Sequence, residues 1–473
     1  MCRTAGGEPA TPSGLPMSVS AFPADHALPQ LPIASDPALM LTVFRGHLWP
    51  LQKKAYRIED CLLSWVRYLP GARCTFQYTL QLVESGTGRE RNQWVTGVID
   101  AQDQTERFWQ KLRASKPQQK IPDAFLTFEP VSFIPELRML VQVFPYDRRL
   151  PALPLLMAAP TPEIESVFLT GCGRGDWHAG VWNIEPIRYR TGARAVLRYE
   201  VKIRNAATGQ TENRRFYVKV YRNEEGERTF SVLHALWGKA DAGAEGFTVG
   251  RPIAYLSDLH ALLQEEASGT TLGAVLLQDR EAARTARRVA RALAILNQDD
   301  VATTRRHSQE DEISDLKWAV NILQCVCPHL KAEVEAIVGA IAAGLEDVPS
   351  GPTHRDLMPD HLLLDGDRFA LLDLDFFAEA DPVLDPATLL AQLVGMSFGS
   401  PFPRDWVRTV AQAFTEEYFA HVPKAWRRRL PLHYAGAALK VAVGFFRRQE
   451  PRWQEKIAAL VKEAGDSVAG KIW

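Results

Sequence analysis

The sequence predicts an α+β chain of three parts, two β-rich units in tandem followed by a helical region. Three observations predict it. Short apolar runs of strand period recur through residues 40–155 and 165–277. Those two stretches can be laid over each other at a nearly constant offset. Beyond residue 278 the apolar period lengthens to that of amphipathic helices.

At 473 residues, with 46% hydrophobic and 23% charged residues, the chain has the size and composition of a soluble protein with several cores. The 55 Lys and Arg against 56 Asp and Glu leave a net charge of -1, so no global field draws it to nucleic acid or to an acidic membrane. It has no basic leader with an apolar core, and no apolar run of the roughly 18 residues that a membrane span needs. Six cysteines without framework spacing argue for reduced thiols. Cys325 and Cys327, one residue apart, lack the second ligand pair of a zinc site. A cytoplasmic protein with neither nucleic-acid nor membrane partners is expected.

Residues 1–38, rich in Pro, Ala, Ser and Gly, are expected to form a disordered tail. The first β-rich unit is placed at 39–160, the second at 165–277 and the helical region at 278–473. In the overlay, Arg67 to Arg73 (RYLPGAR) matches Arg188 to Arg194 (RYRTGAR) at an offset of 121. Trp94 to Ile99 matches Phe216 to Tyr221, and Pro130 to Leu150 matches Pro252 to Leu272, both at 122. Three separated matches that differ by one inserted residue argue for an internal duplication. Gly171-Cys172-Gly173-Arg174-Gly175 lacks the following Lys-Ser/Thr of a phosphate loop and reads as a linker. Helices are expected over Asp279–Leu296, Glu310–Val326, Leu330–Leu345, Arg404–Phe419 and Leu432–Phe446. A β hairpin from Leu362 to Leu374 interrupts them, turning at Asp365-Gly366-Asp367.

The chemistry lies in THRDLMPDHLLLDGDRFALLDLDFFAEADPVLDPATLL, which begins at Thr353. Phosphoryl transfer needs a carboxylate at the acceptor hydroxyl, ligands for magnesium and cations on the phosphates. Asp356, in His354-Arg355-Asp356, suits the first task. Asp373, 17 residues later at the end of an apolar strand, suits the second, and Asp375 lies on the same side of that strand as a further metal contact. Each feature alone is common; their combination at this spacing is specific.

HRDLMPDHLLL resembles the catalytic loop of protein kinases, and the segment through DPVLDPATLL resembles the aminoglycoside and choline kinase group, small-molecule phosphotransferases of protein-kinase-like fold. Asp381, Pro382, Asp385 and, displaced by one place, Ala387 follow that group's D-P-x-x-D-x-A pattern. Met358, in place of the Lys usual in serine and threonine kinases, and the missing A-P-E segment set the chain apart from protein kinases.

The resemblance covers about residues 170–455 and implies a two-lobe fold, with a β-rich N-lobe and a helical C-lobe, preceded by a second N-lobe-like domain. It implies ATP and magnesium as cofactors, and as acceptor a hydroxyl of a sugar, aminoglycoside or amino alcohol. Asp356 and His354 would form the catalytic loop, and Lys219 would hold the nucleotide phosphates. Glu227 would be the lysine's partner, with Glu224 and Glu225 competing. Leu262 to Gly269, with Gln264 and Glu265, would be the adenine hinge. Gly192 suits a close backbone approach to phosphate. His361 stands where the group has Asn as second magnesium ligand; imidazole suits softer metals better, so Asp360, Asp375 or water would share that role. The acidic residues Asp311, Glu312 and Asp315, and Phe414 to Glu417, lie where the group gathers cationic acceptors.

In the first copy Gly97 aligns with Lys219, and Val143 and Phe144 with Glu265 and Glu266. That unit therefore reads as a degenerate N-lobe without nucleotide binding. Packing against the active lobe, presenting a substrate surface and forming a homodimer are its open roles. The rival to an enzyme is a pseudokinase-like scaffold.

Overall fold

The computed structural model describes residues 22–51, 56–102, 104–116, 121–173, 175–241, 246–278, 281–366, 368–398 and 403–472. Most of the expected tail (1–21), Arg174 of the linker, Asp279 at a helix start and Asp367 of the hairpin turn lie outside these residues.

The first unit comprises α1 (Leu31–Ala34), α2 (Pro37–His47), β1 (Tyr56–Leu69), β2 (Arg73–Glu84), β3 (Glu90–Asp100), α3 (Thr105–Ala114), β4 (Val131–Ile134) and β5 (Met139–Val143). Its antiparallel sheet has the order β1-β2-β3-β5-β4. The second comprises α4 (Leu153–Leu156), α5 (Pro162–Thr170), β6 (Trp177–Arg190), β7 (Arg194–Asn205), β8 (Thr211–Tyr221), α6 (Glu225–Asp241), β9 (Phe247–Val249), β10 (Pro252–Leu256) and β11 (Ala261–Glu265). Its sheet order, β6-β7-β8-β11-β10, is the same path through equivalent strands.

Alternation decides which face each sheet buries. In β7 the residues Leu197, Tyr199, Val201 and Ile203 are buried, and Phe168 of α5 packs on Tyr199 and Phe216 at ring separations of 5.1 and 4.9 Å. In β2 the equivalents are Phe76, Tyr78, Leu80 and Leu82, with Phe44 of α2 edge-on to Tyr78 at 5.0 Å. Each sheet thus covers one face with the helices that precede it. Its other face is left for a cleft.

The expectation of a tail to residue 38 needs correcting. Leu28, Leu31 and Ala34 are buried, and Asp25 accepts the Tyr68 hydroxyl and the Gly71 amide, each at 2.8 Å. Asp147 does the same for the Tyr189 hydroxyl (2.9 Å) and the Gly192 amide (2.6 Å). Gly71 and Gly192 sit at φ 69° and 63°, the left-handed conformation that glycine adopts without steric cost. The segment folds because its leucines complete the core of the first unit, a tertiary effect that composition hides.

The register of the third strand also differs from the overlay. Val98 pairs with Thr75 on β2, and Lys219 pairs with Val196 on β7, so Val98 and not Gly97 occupies the place of Lys219. A one-residue slip exchanges the two faces of a strand. Gly97 faces the core, where a Cβ would come within 2.6 Å of the Met139 sulfur. The inserted residue therefore falls after β3, in the connection, where length varies freely.

The remainder holds β12 (Thr270–Thr271), α7 (Leu272–Gln278), α8 (Ala282–Leu296), α9 (Gln309–Val326), α10 (Lys331–Gly344), β13 (Gly351–Thr353), β14 (Leu362–Asp365), β15 (Arg368–Leu371), β16 (Ala378–Ala380), α11 (Leu384–Met396), α12 (Arg404–Ala420), α13 (Leu430–Arg447) and α14 (Trp453–Val468). The five expected helices are present with ends shifted by up to three residues, and the hairpin is β14–β15. Three helices of this region were not anticipated, the short α7 and the longer α11 and α14. In α11 Pro386 stands in the first turn, where a missing amide costs no intrahelical bond. In α14 the buried Trp453, Ile457, Leu460, Val461 and Ala464 follow a helical stripe that was legible. No helix among the described residues is long and apolar enough to cross a membrane.

Candidate active site

The loop after β13 is held by one carboxylate. Asp385, fully buried at the start of α11, accepts the amides of His354 and Arg355, both at 2.8 Å, and the Asn297 side chain at 3.0 Å. Burial pushes its pKa up, against the opposing pull of His354 and these donors. Tyr418 in turn donates to Asn297 at 2.9 Å, and Asn297 donates to the Pro352 carbonyl at 2.9 Å. With both amides fixed, Arg355 holds φ 67°, a conformation that costs a non-glycine residue free energy. Asn297 and Tyr418 escaped the sequence reading because they reach the loop from α8 and α12.

His354 needs correcting as a catalytic candidate. It is fully buried and its Nε2 donates to the Leu372 carbonyl at 2.8 Å, so it ties the loop to the strand before Asp373 without reaching a substrate. Asp356 is the remaining candidate of the loop. Its carboxylate, the His361 ring nitrogen and the Asp373 carboxylate all lie within 4.8 Å of one another.

Asp373 follows β15 at φ 58°, a turn that brings its carboxylate back to the loop. Burial alone would raise its pKa, but the Lys219 and Arg194 charges override this and hold it well below the ordinary carboxylate range. His361 bonds through Nδ1 to the Asp356 carbonyl at 2.8 Å. A carbonyl only accepts, so Nδ1 carries the proton and Nε2 presents a lone pair, 3.7 Å from Asp373. Burial lowers the imidazole pKa, which keeps the ring neutral although Asp373 and Asp356 act the other way. Two carboxylates and one neutral imidazole are a fitting donor set for a divalent cation.

Asp375 does not join that set. Its Oδ2 lies 2.7 Å from Lys219 and is also paired with Arg194, while its Oδ1 accepts the Tyr221 hydroxyl at 2.8 Å and Thr229 at 3.4 Å. Glu227 is exposed on α6, away from Lys219; Thr229, two residues on, is the helix residue that faces the site. The partner expected from α6 is therefore supplied by Asp375, from the other side of the cleft.

Lys219, whose Nζ also lies 2.6 Å from Asp373, stands at the edge of a cavity of about 430 Å³ between β-sheet and helical region. Arg188, Arg190 and Arg194 line one wall; Leu262, Gln264 and Ala267 line another; Asp360, His361 and Asp373 form the floor. Of the two residues expected at an adenine hinge, Gln264 lines this cavity. Glu265 does not: its amide is bonded to Arg251 at 2.9 Å and its carboxylate turns towards the same arginine. Gly192 also falls outside, because its amide is taken by Asp147 and it lines a different cavity.

The acidic residues expected to meet a cationic acceptor are largely engaged. Asp311 caps α9 with Ser308, and Glu312 is clasped by Lys440 at 2.7 and 2.8 Å and by His307 at 3.1 Å. Asp315 keeps 56% side-chain exposure, with Arg355 at 3.4 Å.

A family model described as "Phosphotransferase enzyme family" matches residues 192–432, just over half of the chain. No curated protein matches the chain. Among solved structures, a choline/ethanolamine kinase family protein from Mesorhizobium loti is 13% identical, with 61% of this chain and 92% of that one covered at a TM-score of 0.40. A choline kinase from Cryptosporidium parvum is 10% identical over 61% and 89%, TM-score 0.42. A macrolide 2'-phosphotransferase from Brachybacterium faecium is 18% identical over 63% and 97%, TM-score 0.38.

Proposed function

The chain belongs to the phosphotransferase enzyme family, and on that premise we propose that it transfers the terminal phosphoryl group of ATP, with magnesium, to a hydroxyl of a small molecule. One observation carries this reading. Asp356, His361 and Asp373 converge, and the last two form the floor of a cavity that Lys219 and Arg194 also line.

In this reading the cavity holds the nucleotide, with Gln264 and Ala267 beside the base and Lys219, Arg190 and Arg194 towards the phosphates. Asp356, His361 and Asp373 would hold magnesium, which when bound neutralises charge developing on the phosphoryl oxygens. Asp356 orients the acceptor hydroxyl and takes its proton as the new oxygen–phosphorus bond forms and the bond to ADP breaks. His361 favours a second reading, a nucleotide-binding scaffold without turnover, because imidazole is a poor magnesium ligand.

Purified protein is tested for magnesium-dependent ATP binding and then for ADP release across sugars, amino alcohols and aminoglycosides. Turnover that disappears in Asp356→Asn supports the enzyme. Binding without turnover on any acceptor favours the scaffold, and failure to bind ATP defeats both readings.

A further inference from the structure

The cleft face of the first unit takes no part in the site just described. It lines a separate cavity of about 270 Å³, closed by Asp147, Arg148 and Arg149 and by the β6–β7 turn at Thr191 and Gly192. In the register set by strand pairing, its walls repeat those of the larger cavity. Arg67 and Arg73 stand where the second unit has Arg188 and Arg194, and Leu140 and Gln142 where it has Leu262 and Gln264.

The departures define the chemistry. Val98 replaces Lys219, and the two carboxylates in the wall are already engaged. Asp147 accepts from Tyr189, Gly192 and the Arg149 amide; Asp100 accepts Arg73 at 2.7 and 3.0 Å and the Gln102 amide. Among the described residues, Arg67 and Arg149 have no carboxylate partner, and Arg148 has only the Phe108 ring at 5.1 Å. Burial and the neighbouring Arg148, Arg222, Arg67 and Arg73 charges push the Arg149 pKa down. Guanidinium groups lining one open cavity are suited to phosphate oxygens, which accept their paired donors. The volume lies just below that of most ligand sites, which run from about 300 Å³ upward, so it favours a compact ligand.

We propose that this cleft between the two β-rich units binds a phosphate-bearing small molecule, without a metal ion, through Arg67, Arg73, Arg148 and Arg149. The site is separate from the phosphotransfer site and does not depend on its activity.

The test is calorimetric titration of the full chain with inorganic pyrophosphate in the presence of a chelator. Binding is expected in wild type and in Lys219→Met, and is expected to weaken at least about tenfold in Arg148→Gln/Arg149→Gln. Tungstate soaked into wild-type crystals should appear beside Arg148 and Arg149, which decides the matter even if the double variant fails to fold. No binding by wild type at millimolar pyrophosphate overturns the proposal. So does binding lost in Lys219→Met and kept in the double variant, equal loss in both, or tungstate found only beside Lys219 and Arg194.

Discussion

Lys219 reaches across the cleft to Asp375, 2.7 Å away, while Glu227, on the helix that follows the lysine's own strand, lies exposed. The carboxylate that fixes this lysine thus comes from the segment that also carries Asp373. Correct placement of Lys219 therefore requires both lobes to be docked.

Asp375→Ala should leave Lys219 and Arg194 short of a buried partner, at a cost of about 3 kcal/mol or more. Nucleotide affinity should fall with it. Glu227→Ala should change neither quantity measurably, and denaturant melts with ATP titrations compare the two.

Asp385→Ala should remove the acceptor of three buried donors, the amides of His354 and Arg355 and the Asn297 side chain. At about 1 kcal/mol or more for each unsatisfied group, the loss is about 3 kcal/mol or more. Arg355 would then relax from its left-handed conformation, so turnover should fall further than nucleotide affinity.

Glu312 gives the acid limb of stability a sign. Burial alone would raise its pKa, but Lys440 and the hydrogen bond from His307 dominate and bring it down to about 2 from 4.5. Between those values the unfolded chain binds more protons, so stability rises with pH through the window and is lost as pH falls towards 2. The contribution is about 3 kcal/mol above the window. Lys440→Met should flatten this limb in melts taken from neutral to acid pH.

His361→Asn should shift metal preference. Replacing an imidazole by an amide oxygen favours hard magnesium over manganese, so the ratio of manganese- to magnesium-supported turnover should fall several-fold. A ratio unchanged by the substitution would remove His361 from the metal site.

Gly97→Val and Val98→Lys separate the two alignments of the third strand. The first puts carbon into a space already filled by Met139 and should destabilise by about 1–3 kcal/mol. The second faces the cleft and should be tolerated, as thermal melts will show.

The sequence by itself determined the class of fold, the five helices and the candidate catalytic segment, because these rest on local period and on residues close together in the chain. Asp356 and Asp373 are 17 residues apart, and the hairpin between them is short enough to read directly. Tertiary structure decided what depends on which side chains meet across the cleft. It placed Asp375 and not Glu227 on Lys219, gave Gly192 to Asp147, buried His354, and folded the segment after Phe22 against the first sheet. It also set the register of β3 by hydrogen bonding, where an alignment of short apolar strings is insensitive to a slip of one residue. These outcomes follow from burial and pairing between distant segments, energies that no local pattern encodes.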